Sequence, residues 1–166
     1  MAASALSVHV GDEAARQIAN HGWSPDLISL LLGASGGPKW FILSQLDRVL
    51  FGDFLQRGSQ PLATLGSSIG AWRNACLTQP DPVSAIERME QGYLNQTYDN
   101  AKPGPEEVTA VSRGILQSVL ADSGAEALVN HPRIRSHIVT ARGKGPAASR
   151  RPAALATGMG VAALGL

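Results

Sequence analysis

The sequence predicts an α/β fold with a mainly parallel sheet, and three observations predict it. Leu27–Ile28–Ser29–Leu30–Leu31–Leu32 is a continuous apolar run closed by Gly33–Ala34–Ser35–Gly36–Gly37, the pattern of a strand buried on both faces. Leu62–Ala63–Thr64–Leu65 is a second short apolar run that also ends on glycine, at Gly66. Both runs are followed by residues at helical spacing, and strands alternating with helices favour parallel pairing.

The elements are taken in chain order. Asp12 can cap a short helix to about Asn20, which Gly22 ends. After the first strand, Pro38 can open a helix whose buried face carries Ile42, Leu46, Val49, Leu50 and Phe54. The second strand leads into a helix marked by Ile69, Trp72, Ala75 and Cys76, running toward Pro80. Asp81–Pro82 reads as an N-cap and a first-turn proline, and Val83, Ile86, Met89 and Tyr93 give the helix behind them its apolar face. Lys102–Pro103–Gly104–Pro105 is a break. Glu106 and Glu107 suit a first turn, and Val108, Val111, Ile115, Val119 and Leu120 form the stripe of that helix. Ser136 to Ala141 reads as a third strand, and Gly143–Lys144–Gly145–Pro146 as a loop. Ala153 to Leu166 is small, apolar and uncharged, like an element cut through its middle. The expectation is therefore a single domain over residues 1–166, shortened at its C-terminal side.

Composition narrows the function. The 166 residues are 44% hydrophobic and 16% charged, a globular balance, with a formal net charge of +1 and no overall basic field for nucleic acid. The cations Arg133, Arg135, Arg142, Lys144, Arg150 and Arg151 come after the last acid, Glu126, and read as a solvated edge. Cys76 is the single cysteine, on an apolar helical face, so no internal disulfide forms and a buried inert thiol is expected. Met1 to Arg16 lacks the pattern of a secretory signal and no segment suits a spanning helix, so a cytoplasmic location is expected. No His/Cys/Asp/Glu cluster has ligand spacing, so no metal is expected, and no organic cofactor is implied.

The chemistry lies in Gly66–Ser67–Ser68–Ile69–Gly70, a Gly-x-Ser-x-Gly run between strand and helix. That context suits a nucleophile elbow, which exposes a serine hydroxyl at a helix N-terminus and lends a backbone amide to the reacting carbonyl. Gly33–Ala34–Ser35–Gly36–Gly37 fits the same pattern. The residues on the C-terminal side of each serine distinguish the two motifs. Ser35 precedes two glycines and a proline, a run of amides suited to receiving negative charge, whereas Ser68 leads directly into helix-forming sequence. Ser68 is therefore assigned as nucleophile, and the amides of Gly36 and Gly37 as the oxyanion hole. In purely structural terms, the same residues are a helix N-cap and a tight strand-to-helix turn.

With its two motifs paired, the segment from Leu27 to Cys76 resembles the patatin-like phospholipases, serine acyl hydrolases with a Ser–Asp dyad. The resemblance implies a three-layer α/β/α sandwich, an early glycine-rich oxyanion loop and a later Gly-x-Ser-x-Gly nucleophile. Gly36 and Gly37 match two glycines of the family loop. Ala34 and Ser35 stand where it has Asp and Gly, and Trp40 replaces its last Gly; Lys39 replaces its Arg and keeps the positive charge, so the resemblance implies an anion contact there. The family's aspartate lies in an Asp-Gly pair, and Asp81, Asp99 and Asp122 are not followed by Gly. The expectation is that this residue lies beyond Leu166. The implied partner is an acyl lipid or other ester, with peripheral membrane contact open. Other readings are an α/β-hydrolase with Ser68, Asp99 or Asp122, and His131 or His137; an acyltransferase; a phosphate-binding module; and a non-catalytic truncated homologue.

Overall fold

The computed structural model describes residues 7–122 and 124–164; Met1 to Leu6, Ser123 and the last two residues lie outside it, so the ends of the expected 1–166 domain and of the apolar tail are not covered. Among the described residues it is a mixed α/β fold with a three-stranded, all-parallel sheet and seven α-helices. Strands β1 (Leu30–Gly33), β2 (Leu62–Ser67) and β3 (Ile134–Val139) lie in the order β1-β2-β3. Gly33 pairs with Gly66, and Leu65 with His137. Because the strands are parallel, the loops leaving β1 and β2 emerge along one rim.

Strand β1 is shorter than its apolar run. Ser24 caps a 3-10 turn at Pro25–Leu27, its side chain accepting the Asp26 N–H at 3.2 Å, which removes Leu27 from the strand. Helix α1 (Asp12–His21) begins after Gly11, so Asp12 stands in its first turn rather than at the cap, and Gly22 at φ 76° closes it. Helix α4 (Pro82–Leu94) starts as its sequence implies. Asp81 accepts the Ser84 N–H at 3.0 Å and the Ser84 hydroxyl at 2.6 Å.

Helix α3 (Ile69–Leu77) lies on the sheet, and α2 (Ser44–Val49), α4 and α5 (Pro105–Leu120) pack around it and one another. The core joins Phe51, Leu55, Leu62, Leu77, Ile86, Met89, Val119 and Ile134. Helix α6 (Gly124–Val129), which has no long apolar period, comes after α5, and α7 (Pro152–Ala163) packs on the Gly145–Ala148 turn. β3 starts at Ile134, ahead of the expected Ser136.

Two expectations about burial are corrected. The first apolar run is not covered on both faces. Leu30, Leu32, Leu65 and Val139, which the register places on one face, are exposed, with Leu32 at 66%. Nor does the segment after Pro38 bury Ile42 and Val49. Gly37–Leu43 is a 3-10 stretch and Leu50–Phe54 a π-turn, so the regular 3.6-residue period does not hold. Ile42 is 85% exposed, Val49 is exposed, and Phe51 takes the core place.

Candidate functional site

Ser68 stands between β2 and α3 with φ 52° and ψ −127°, a backbone region that L-residues enter at a cost of about 1–3 kcal/mol. Ala121 has a similar conformation at the end of α5, so positive φ alone does not mark a site. What sets Ser68 apart is its turn. A Cβ added to Gly66 would lie 2.5 Å from Ala71 Cα and 2.6 Å from its nitrogen, so only glycine lets the helix start this close to the strand. The Ser68 residue is exposed, and its side chain makes no capping hydrogen bond, leaving the hydroxyl free of the role a plain N-cap would give it. Its carbonyl accepts the Ala71 N–H at 2.9 Å, opening the helix.

The second glycine of the motif ties the two loops together. A Cβ on Gly70 would run into the Gly33 carbonyl and lie 2.7 Å from the Ala34 oxygen; one on Gly33 would lie 2.8 Å from Gly70 C. The backbone of α3 therefore rests directly on the end of β1, where the glycine-rich loop begins. Gly36 is extended at φ 171°, Gly37 turns at φ 55°, and the Lys39 N–H donates to the Gly36 carbonyl at 3.3 Å. Ser35 and Lys39 are exposed, and Ser35 has no positive φ. The two serine motifs thus differ in backbone, and only Ser68 has the strained turn.

Beside this rim lies an aromatic cluster that no motif of the sequence marks. Trp72, in the first turn of α3, meets Tyr93 near the end of α4 at 6.0 Å between ring centroids. Tyr93 also meets Phe41 at 6.2 Å and Trp40 at 6.3 Å. Trp40 and Phe41 come within a few residues of the glycine-rich loop, the one sequence signal that could have drawn attention to them. Burial raises the Tyr93 hydroxyl above its usual pKa, with a smaller push from Tyr98.

The other residues considered for catalysis are placed elsewhere or otherwise engaged. His131 lies just before β3, at the opposite end of the sheet. Its Nδ1 accepts the Arg133 N–H at 3.2 Å and the Ile134 N–H at 2.9 Å. It lines a cavity of about 500 Å³ with Thr78, Gln79, Pro80 and Asn130. Asp122 is near that end too, two residues from Gly124, whose carbonyl accepts from Gln79 Nε2 at 3.4 Å. His137 Nδ1 donates to the Thr64 carbonyl at 3.1 Å. The Asp99 N–H donates to Glu107 Oε1 at 2.6 Å, holding the loop before α5, and Asp81 caps α4. Among the described residues no carboxylate or imidazole hydrogen-bonds the Ser68 hydroxyl. Cys76 is fully buried, and burial, aided by the Asp47 charge, pushes its thiol up to about 12, so it is inert as a nucleophile at neutral pH.

No helix of the described residues is long and apolar enough to cross a membrane. Comparison with known proteins returns no match, whether among family models, curated proteins or solved structures.

Proposed function

We propose that the chain is a serine acyl hydrolase of patatin-like type, with Ser68 as nucleophile. The observation that carries the reading is the elbow: an exposed serine at positive φ, between Gly66 and Gly70, with the glycine-rich loop held against it by the Gly33–Gly70 backbone contact. In this reading Ser68 Oγ attacks the ester carbonyl and its proton passes to a base. The N–H groups of Gly36 and Gly37 receive the negative charge, each such donor stabilising the tetrahedral intermediate by about 3 kcal/mol. Lys39 adds positive charge near the same loop. The base returns that proton to the departing alcohol, then takes one from the water that attacks the serine ester and gives it back to Ser68 Oγ as the acid is released. The base is the aspartate that the family resemblance implies, in place of Asp81, Asp99 or Asp122.

The aromatic cluster of Trp40, Phe41, Trp72 and Tyr93 gives the rim an apolar wall suited to an acyl chain. The three-layer sandwich belongs to the same proposal: the exposed face of Leu30, Leu32, Leu65 and Val139 is where a second helical layer would lie. A fluorophosphonate probe tests the assignment. In a version of the protein that carries the implied aspartate, the parent sequence should label, Ser68→Ala should not, and Ser35→Ala should label as the parent does. Labelling that survives Ser68→Ala, or disappears only in Ser35→Ala, overturns it.

A further inference from the structure

All three strands are parallel, so the loop leaving β3 emerges along the same rim as those leaving β1 and β2. Because β2 is the middle strand, Ser68 stands between the two outer loops. The loop after β1 carries Lys39 and the loop after β3 carries Arg142 and Lys144, all three exposed. No acid occurs from Ala34 to Leu43, from Gly66 to Arg73, or from Val139 to Arg151. Among the described residues none of the three cations pairs with a carboxylate. Where the chain enters the strands, cations are matched. Arg57 pairs with Asp53 at 3.2 Å, and Arg133 and Asp26 both lie against Gly58. Other acids stand in and after the loop beyond α4, where Glu107 accepts the Asp99 N–H and Lys102 is close in sequence.

Apolar side chains stand out from the same end of the sheet. Ile42 is 85% exposed and Leu43 40%, in the 3-10 stretch that follows the glycine-rich loop. Ile138, 56% exposed near the end of β3, pairs with Gly66 and alternates with Val139. It therefore lies on the α3 side, not on the face left for a second helical layer. A soluble anion would use the charge of this rim and leave Ile42 in water. A neutral bilayer would take up Ile42 and leave the charge unused. An anionic bilayer uses both, since binding there grows with apolar area buried and with positive charge at the headgroups.

We propose that the rim is a docking surface for an anionic lipid bilayer: Lys39, Arg142 and Lys144 meet the headgroups, and Ile42 and Ile138 enter the boundary with the acyl chains. The Ser68 turn then faces the lipid. This deepens the hydrolase reading by placing the ester in a membrane, and it rests on that reading for that consequence alone; docking itself does not depend on it.

The test is cosedimentation of the full chain with vesicles of phosphatidylcholine, alone or mixed with phosphatidylglycerol. The mixed vesicles should bind about tenfold or more tightly at low salt, and the preference should fade as salt screens the charges. Arg142→Gln combined with Lys144→Gln should cost about fivefold in affinity per cation. Arg57→Gln, at the matched end, should cost less than about twofold. Ile42→Ser should weaken binding about tenfold, through apolar area no longer buried. Thermal midpoints should not move, since every one of these positions is exposed. Equal binding to both vesicle types, or unchanged binding in the double variant, overturns the proposal. Competition by inorganic phosphate at matched ionic strength also overturns it, by making the rim a site for a small anion. So does a dimer in sedimentation equilibrium that Ile42→Ser dissociates, which gives the rim to a second copy. Ser68→Ala should bind the vesicles as wild type does. If fluorophosphonate labelling fails while the mixed vesicles still bind, the hydrolase reading falls and the docking surface stands. Labelling without a preference for the mixed vesicles gives the reverse.

Discussion

At the scale of single residues, the candidate site depends on atoms that are missing. Gly70 is the clearest case. Gly70→Ala sets a methyl against the Gly33 and Ala34 carbonyls, neither of which belongs to a flexible side chain. The chain should lose about 3 kcal/mol of stability in denaturant unfolding, the upper end for overpacking, and should lose labelling at Ser68 as the two loops separate. His131 makes a prediction of a different kind. Burial holds its imidazole below the usual value of 6.5, and the nearby charges of Arg133 and Arg135 act in the same direction. The neutral ring accepts two backbone N–H groups, a role that protonation of Nδ1 abolishes. The unfolded chain binds this proton more readily, so the stabilisation is complete above the ordinary histidine pKa and lost as pH falls below it. Denaturant midpoints at about pH 7.5 and about pH 5.5 should differ in the wild-type chain. The difference should shrink in His131→Asn.

At the scale of elements, a buried ion pair fastens α2 to α3. Asp47 is 1% exposed and receives Arg73 through Nε at 2.7 Å and Nη2 at 2.5 Å, with the guanidinium over the Phe51 ring. Arg73→Met removes the cation but leaves the carboxylate inside. It should cost about 3–5 kcal/mol by chemical denaturation, more than Arg57→Met, whose pairing with Asp53 is exposed. Neither member of the buried pair carries a sequence signal: Arg73 is the single charge on α3, Asp47 stands beside Arg48 on α2, and nothing in the order of residues pairs them. The elements legible in the sequence are those with strong local punctuation. Asp81–Pro82 announces α4, and the two glycine motifs announce the ends of β1 and β2. The segment after Pro38 cannot be read in the same way. Its 3-10 and π turns break the helical period, so Ile42 faces outward and Phe51 inward. The Ser68 turn is legible because the glycines it requires, Gly66 and Gly70, stand beside it in the sequence. The aromatic cluster is not, because Phe41 and Trp72 meet Tyr93 only once the chain is folded.

At the scale of the whole molecule, the two faces of the sheet differ. Leu62 and Ile134 lie beneath α3 in the core, whereas Leu32 and Leu65 face outward. Leu62→Ala should destabilise by about 3 kcal/mol, through lost transfer energy and the cavity left behind. Leu32→Lys should change the stability of the chain by less than about 0.5 kcal/mol. Unfolding curves for the two variants test the contrast. A large loss from Leu32→Lys would mean that this face is covered in solution.

Gly33 and Gly70 each fill the space that a methyl on the other would need, and this has a consequence for how the protein can change over time. Neither position can acquire a side chain first, because the first step meets a wall of main chain that no rotamer relieves. Nor can the second step rescue the first, since both would add bulk to the same gap. The contact behaves as a hinge pin shared by two turns: it admits no added side chain from either side, whatever residues the loops around it carry.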